Sequence, residues 1–228
     1  PYLKELGATV VVFDAKGQEP VDITDPAAVK AAVERVISAH GRIDGLVHAA
    51  GIAAEYGKAD EMFVPYEEFS LDLWNQEFLV NVTAAHIVTQ AVATQMMKQK
   101  SGSVVFVASD LALIAPDNSL YAPGKFKDVA YVSSKASIMG LMRAWASYLG
   151  AYNVRANALV PGGMIKDALS KEFAQKNGSL NMLGRMSTPG EYNAALAFLL
   201  SDASSYMTAV PLILDGGRTA KTGSSWQT

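Results

Sequence analysis

Val104-Val105-Phe106-Val107-Ala108-Ser109 is an unbroken apolar run that stops on a hydroxyl. A strand with one wet face alternates apolar and polar residues. A run without alternation is covered on both sides, as in a parallel sheet held between helical layers. Residues 8–13, 43–48, 154–160 and 210–214 have the same texture and, with 104–107, are read as strands. Helical segments separate them. Pro26–His40 follows Thr24 and Asp25, both good N-cap residues. Residues 70–98 place Trp74, Phe78, Val82, Ala85, Val88, Val92 and Met96 at helical spacing, and Val129–Leu149 does so with Ile138, Leu141, Met142, Trp145 and Leu149. A shorter helix is expected over 191–200. Strands alternating with helices predict right-handed crossovers and an α/β fold: a Rossmann-like, doubly wound, mostly parallel sheet in three layers. One domain is expected over 1–228, ending in a polar tail from Gly216 that is flexible over 218–228.

Ligands of such sheets bind beyond the carboxyl ends of the strands. There the sequence collects its unusual residues: Asp14, then Asp22, then His48-Ala49-Ala50-Gly51, Ser109, and Pro161-Gly162-Gly163. Tyr131 and Lys135 lie four apart on a predicted helix and therefore share a face. A neighbouring ammonium favours the phenolate and makes a tyrosine usable as an acid or base near neutral pH. With Ser109 holding an oxygen, this set can move a proton on an alcohol or carbonyl while a cofactor moves a hydride. Tyr121 and Lys125 have the same spacing, but Pro123 and Gly124 between them argue for a loop.

Composition narrows the possibilities further. Of 228 residues 50% are hydrophobic and 18% charged, which suits a compact domain. A formal net charge of −3 gives no reason to expect nucleic acid or an anionic membrane as partner. The absence of cysteine excludes disulfides, thiolate catalysis and cysteine metal sites, and the three histidines are not spaced as metal ligands, so no metal is expected. No apolar run approaches membrane-spanning length and no signal peptide opens the sequence, so a cytoplasmic location is expected.

These motifs, in this order from about Gly7 to Gly217, resemble the short-chain dehydrogenase/reductase family: an acidic strand end at Asp14, Val21-Asp22-Ile23, Ala49-Ala50-Gly51, Asn81 within a helix, Ser109, Tyr131 with Lys135, Pro161-Gly162, and Asp215-Gly216-Gly217. The resemblance implies an oxidoreductase that interconverts a secondary alcohol and a ketone. Tyr131 would be the general acid/base, Lys135 would lower its pKa and bond the nicotinamide ribose, Ser109 would orient the reacting oxygen, and Asn81 would kink its helix and hold a water linking Lys135 to solvent. Asp14 would accept from the adenosine ribose hydroxyls and repel a 2′-phosphate, favouring NAD over NADP. Asp22 and Ile23 would flank the adenine, Ala50 and Gly51 would admit the cofactor, and Pro161, Gly162 and Met164 would border the nicotinamide. The long helices resemble the family's dimer-forming pair, implying a homodimer or homotetramer.

The departures from the pattern are specific. The family's opening strand and glycine-rich turn have no counterpart, and residues 1–6 resemble the end of the helix that follows that turn. The expectation is that the sequence is an N-terminally truncated piece. His48 replaces the usual Asn; it is counted among cofactor-contacting positions and read as a satisfied histidine at the core edge rather than a catalyst. Lys166 stands where a Thr that contacts the carboxamide is common. Residues 111–130 are longer than usual and are expected to cover the substrate pocket with Tyr121 and Phe126. Two other readings stay open: a non-catalytic fragment or binding protein on the same scaffold, and a sugar-nucleotide epimerase or lyase that retains NAD.

Overall fold

The computed structural model describes residues 1–16, 19–53, 59–167 and 169–223. In chain order its helices are α1 (Tyr2–Glu5), α2 (Pro26–His40), α3 (Ala59–Met62), α4 (Leu71–Phe78), α5 (Ala84–Gln99), α6 (Val129–Leu149), α7 (Lys171–Ser179) and α8 (Asn193–Leu200). Its strands are β1 (Gly45–His48), β2 (Gly102–Val107), β3 (Val154–Pro161) and β4 (Pro211–Leu214). The strands lie side by side in the order β1-β2-β3-β4, every pair parallel.

Register aligns the carboxyl ends. His48 stands beside Phe106, Phe106 beside Ala158, and Pro161 beside Leu214. Successive residues of β2 serve opposite layers. Val104 and Phe106 join α2, α5 and α6 through Val29, Val92, Met96, Ile138 and Met142, while Val105 packs with Leu159 against Leu199 of α8. Three layers follow, and the fold is the Rossmann-like α/β architecture that the apolar runs predict.

Helix starts are fixed by side-chain oxygens. Asp25 accepts from the Ala27 amide at 2.8 Å, with Pro26 at the first helical position, and Gly41 closes the helix in a left-handed conformation at φ 74°. Ser70 caps α4, and Asp128 caps α6 by accepting from Ala130 and Tyr131 at 2.9 and 3.1 Å. These caps satisfy amides that have no partner inside the helix.

Three expectations need correction. Residues 8–13 form no strand: Val11 and Val12 are 49% and 68% exposed, although Phe13 reaches the core. A strand exists only by pairing, and among the described residues this run has no ladder partner. The segment 70–98 is not one helix, because a π-type turn, Leu79–Thr83, separates α4 from α5. The first residues of the expected tail are fastened down. Asp215 accepts from the Gly217 and Thr219 amides at 2.9 and 2.6 Å, and Arg218 is buried with its Nε 3.5 Å from Asp110 Oδ2. Two glycines at φ 66° and 84° let the chain fold back at this point. Residues 224–228 lie outside the described set.

Candidate active site

A cavity of about 390 Å³ opens beyond the carboxyl ends of β2 and β3. Ser109, Tyr131, Pro161, Gly162, Met164 and Lys166 line one side of it. The 111–130 segment supplies Pro116, Asp117, Leu120, Tyr121 and Lys127, and so covers the pocket as expected. Phe126 is not in the lining; it packs edge-on against Tyr66 with ring centroids 6.2 Å apart. Tyr121 meets Phe63 in a tilted ring contact, centroids 5.1 Å apart, and the turn that holds Tyr121 and Lys125 is not helical.

Tyr131 and Lys135 lie one turn apart on α6, as their spacing predicts. Lys135 is buried and donates to the Val107 carbonyl at 2.9 Å, which spends one of three ammonium hydrogens at the end of β2. Burial pulls its pKa down to about 8. Its Nζ lies 5.8 Å from the Tyr131 ring centroid.

Asn81 sits inside the π-type turn, where one extra residue opens the helix ladder and turns its amide inward. The amide accepts from the Ile52 N–H at 2.7 Å and donates to the Ile52 carbonyl and the Ser134 hydroxyl, both at 3.0 Å. It thereby ties the loop after β1 to α6. Gly51 belongs to the same group: a Cβ there would stand 3.3 Å from Asn81 Oδ1 and 3.6 Å from Lys135 Nζ. Glycine keeps this approach open.

Ser109 caps the short turn after β2, accepting from Leu111 N at 3.2 Å and directing its own proton to Asp110 Oδ1 at 2.9 Å. A substrate oxygen must win that proton from Asp110. Burial raises the Asp110 pKa, opposed by the Ser109 hydroxyl and by Arg218.

His48 is buried at the end of β1, and among the described residues its Nε2 has no hydrogen-bond partner, where a satisfied histidine was expected. Burial first, and the Lys135 charge second, lower its pKa from 6.5 to about 4. The folded chain therefore refuses a proton that the unfolded chain accepts. Stability is full above pH 6.5 and drains toward pH 4, by roughly 1.4 kcal/mol per unit. Replacing His48→Asn flattens this acid limb in melts recorded across pH 4 to 7.

The other positions form a separate group. Asp14 is exposed, accepts from Lys16 N at 2.8 Å, and receives Val21 N on its carbonyl at 2.9 Å. Asp22 accepts both the amide and the hydroxyl of Thr24, which lowers its pKa, and Ile23 packs on the core. Ala50 is half-buried after β1. None of Asp14, Asp22, Ile23, His48, Ala50, Gly51, Asn81 or Lys135 lines the cavity that Ser109 and Tyr131 share with Pro161, Gly162 and Met164.

Some residues at the site were missed from sequence. Lys127 is buried, with its Nζ 4.4 Å from the Tyr131 ring centroid. Asp110 and Arg218 pair beside Ser109, and Glu77 is buried near Asp128, Lys127 and Lys135. Asp128 stands one residue before a predicted helix, the position of an N-cap, which is a usable signal. Lys127, Glu77 and Arg218 have no comparable signal.

The residues present fit the nicotinamide-ribose half of a dinucleotide. The glycine-opened approach at Gly51 and the buried Lys135 donor lie together, next to the loop after β1.

Comparison with known proteins identifies the family. Residues 3–219 match a family model described as enoyl-(acyl carrier protein) reductase, of the short-chain alcohol dehydrogenase type. D-threitol dehydrogenase of Mycolicibacterium smegmatis is 32% identical over 88% of this chain and 72% of its own. A 3-oxoacyl-(acyl-carrier-protein) reductase of Thermotoga maritima is 33% identical over 86% and 74%. A gluconate 5-dehydrogenase from Burkholderia cenocepacia, solved with NADP and tartrate, superposes with a TM-score of 0.78 at 26% identity, covering 90% of this chain and 75% of its own. The chain belongs to the short-chain dehydrogenase/reductase family, oxidoreductases that bind NAD(P) and act on CH–OH groups.

Proposed function

We propose that this chain interconverts a secondary alcohol and a ketone with NAD(H), using Tyr131 as general acid/base. The observation that carries the reading is the buried Lys135 ammonium one helical turn from Tyr131, whose ring borders the same cavity as Ser109. In oxidation the substrate hydroxyl gives its proton to the Tyr131 phenolate, and Ser109 holds the oxygen. In reduction Tyr131 returns the proton to the oxygen as the carbonyl carbon is reduced. The nicotinamide, when bound, accepts or supplies the hydride. Lys135 favours the phenolate by its charge, and its remaining donors suit ribose hydroxyls. Asn81 holds the loop after β1 against α6, and Pro161, Gly162 and Met164 offer an apolar border for the ring.

A polyol or a sugar-derived alcohol fits the cavity best. Its lining mixes hydroxyl-binding groups, Asp110, Asp117 and Asn177, with apolar Leu120, Leu159 and Met186. Relatives named for threitol, rhamnose and glycerol support the same class. Exposed Leu71, Leu79 and Tyr148 on or beside α4 and α6 support a homodimer or homotetramer. No helix among the described residues is long and apolar enough to cross a membrane.

Asp14 is the proposed selector of NAD, as a carboxylate that can accept ribose hydroxyls and repel a 2′-phosphate. Parallel fluorescence titrations with NADH and NADPH test this. NADH should bind more tightly, and Asp14→Ala should narrow the difference by about tenfold. Equal affinities in the unaltered chain would remove Asp14 from the role.

A further inference from the structure

Glu77 is the strangest residue in the molecule. It lies on α4 with no exposed surface, and among the described residues neither carboxyl oxygen receives a hydrogen bond. Asp128 is equally buried. Its Oδ1 caps α6 through the Ala130 and Tyr131 amides, while its Oδ2 has no hydrogen-bond donor among the described residues. α4 packs against α6, and there the Glu77 and Asp128 side chains lie within hydrogen-bonding reach of each other. Two carboxylates cannot bond, since both only accept. One proton between them changes this: Glu77 then donates to Asp128 Oδ2, and the pair carries one charge instead of two. Leaving two buried carboxylates ionised side by side is the costly alternative. The groups facing Glu77 are Asp128 and Lys127 from the turn before α6 and Lys135 from α6 itself.

We propose that a single proton, held between the carboxyl groups of Glu77 and Asp128, fixes the start of the helix that carries Tyr131 and Lys135, which makes Glu77 a positioning residue for the reaction. This rests on the reading of Tyr131 as the acid/base. The link joins α4 to the cap of α6, three residues before Tyr131 and seven before Lys135. It also settles a charge. An ionised Glu77 would compete with the Tyr131 phenolate for the Lys135 ammonium; a neutral Glu77 leaves that charge to Tyr131. Burial and Asp128 push the Glu77 pKa from 4.5 up to about 9, in keeping with the arrangement. The unfolded chain releases this proton near pH 4.5, so the associated stability is full below that value and is lost as pH rises toward 9.

The test uses the intact chain in three altered forms. Infrared spectra at pH 7 should show a protonated-carboxylic-acid band that Glu77→Gln removes. Melts from pH 5 to 9 should lose stability more steeply in the unaltered chain than in the Gln form, whose amide donates to Asp128 without a titrating proton. Turnover should fall about tenfold in Glu77→Leu and be largely recovered in Glu77→Gln. Asp128→Asn keeps a cap oxygen but supplies a donor to Glu77, and should move the band's titration to lower pH. If Glu77→Leu does not fold, the Gln and Asn forms decide. Identical spectra for the unaltered and Gln forms would overturn the shared proton and leave Glu77 ionised against Lys127 or Lys135. A Gln form as impaired as the Leu form would overturn the positioning role. If the chain shows no alcohol oxidation in any form, the Tyr131 reading fails, while the band and the pH slope still decide the proton.

Discussion

Replacing Tyr131→Phe will lower turnover by about a hundredfold to ten-thousandfold, the usual worth of a positioned acid or base. The substitution removes one oxygen and keeps the ring. The Phe ring can still pack under the Lys127 ammonium, which lies 4.4 Å from the Tyr131 centroid, and Asp128 still caps the helix through backbone amides. Fold and cofactor affinity should therefore survive, and the loss should fall on kcat. Stopped-flow or steady-state rates beside an NADH titration separate the two. Retained turnover would mean that another group moves the proton, with buried Lys127 the first to examine.

Replacing Phe106→Ala will cost about 3–5 kcal/mol of stability, because a fully buried aromatic ring leaves a cavity that its neighbours cannot fill. Phe106 stands in the middle of the sheet, between His48 and Ala158, and faces the layer of α2, α5 and α6. A domain of this kind has about 5–15 kcal/mol in total, so the variant will be marginal at physiological temperature. Val12→Ala, at a 68% exposed position, should change stability by about 0.5 kcal/mol or less. Urea denaturation of both variants checks the contrast. A loss near 1 kcal/mol at Phe106 would mean that the two layers do not depend on this contact.

The fold was readable because burial on both faces leaves an unbroken apolar run, as in β2, and because α2 and α6 carry their apolar periodicity between clear stops. Residues 8–13 show the limit of that signal. Their composition is that of a strand, yet a strand is a paired object, and composition does not supply the pair. The spacing hid the break at Leu79–Thr83, since a π-type turn shifts the ladder by one residue and barely disturbs helical periodicity; only the family resemblance, through Asn81, implied a kink there. At the site, Ser109, Tyr131 and Lys135 were legible from strand end and helix spacing. Glu77 was not, because a glutamate on an amphipathic helix ordinarily reads as solvent-facing. Asp128, the group it meets in the fold, stands 51 positions away. His48 was legible as a residue but not in its state, since an unpartnered Nε2 and a neighbouring Lys135 are facts of packing alone.

One assay reaches the central claim: the absorbance of reduced cofactor, followed while the protein is offered NAD and, one at a time, small polyols and sugar-derived alcohols. The account predicts that NADH accumulates with at least one of them in a one-to-one ratio with the ketone formed, and that Tyr131→Phe abolishes the signal. Cofactor binding without net reduction, or rearrangement of a substrate with the NADH level unchanged, would contradict it.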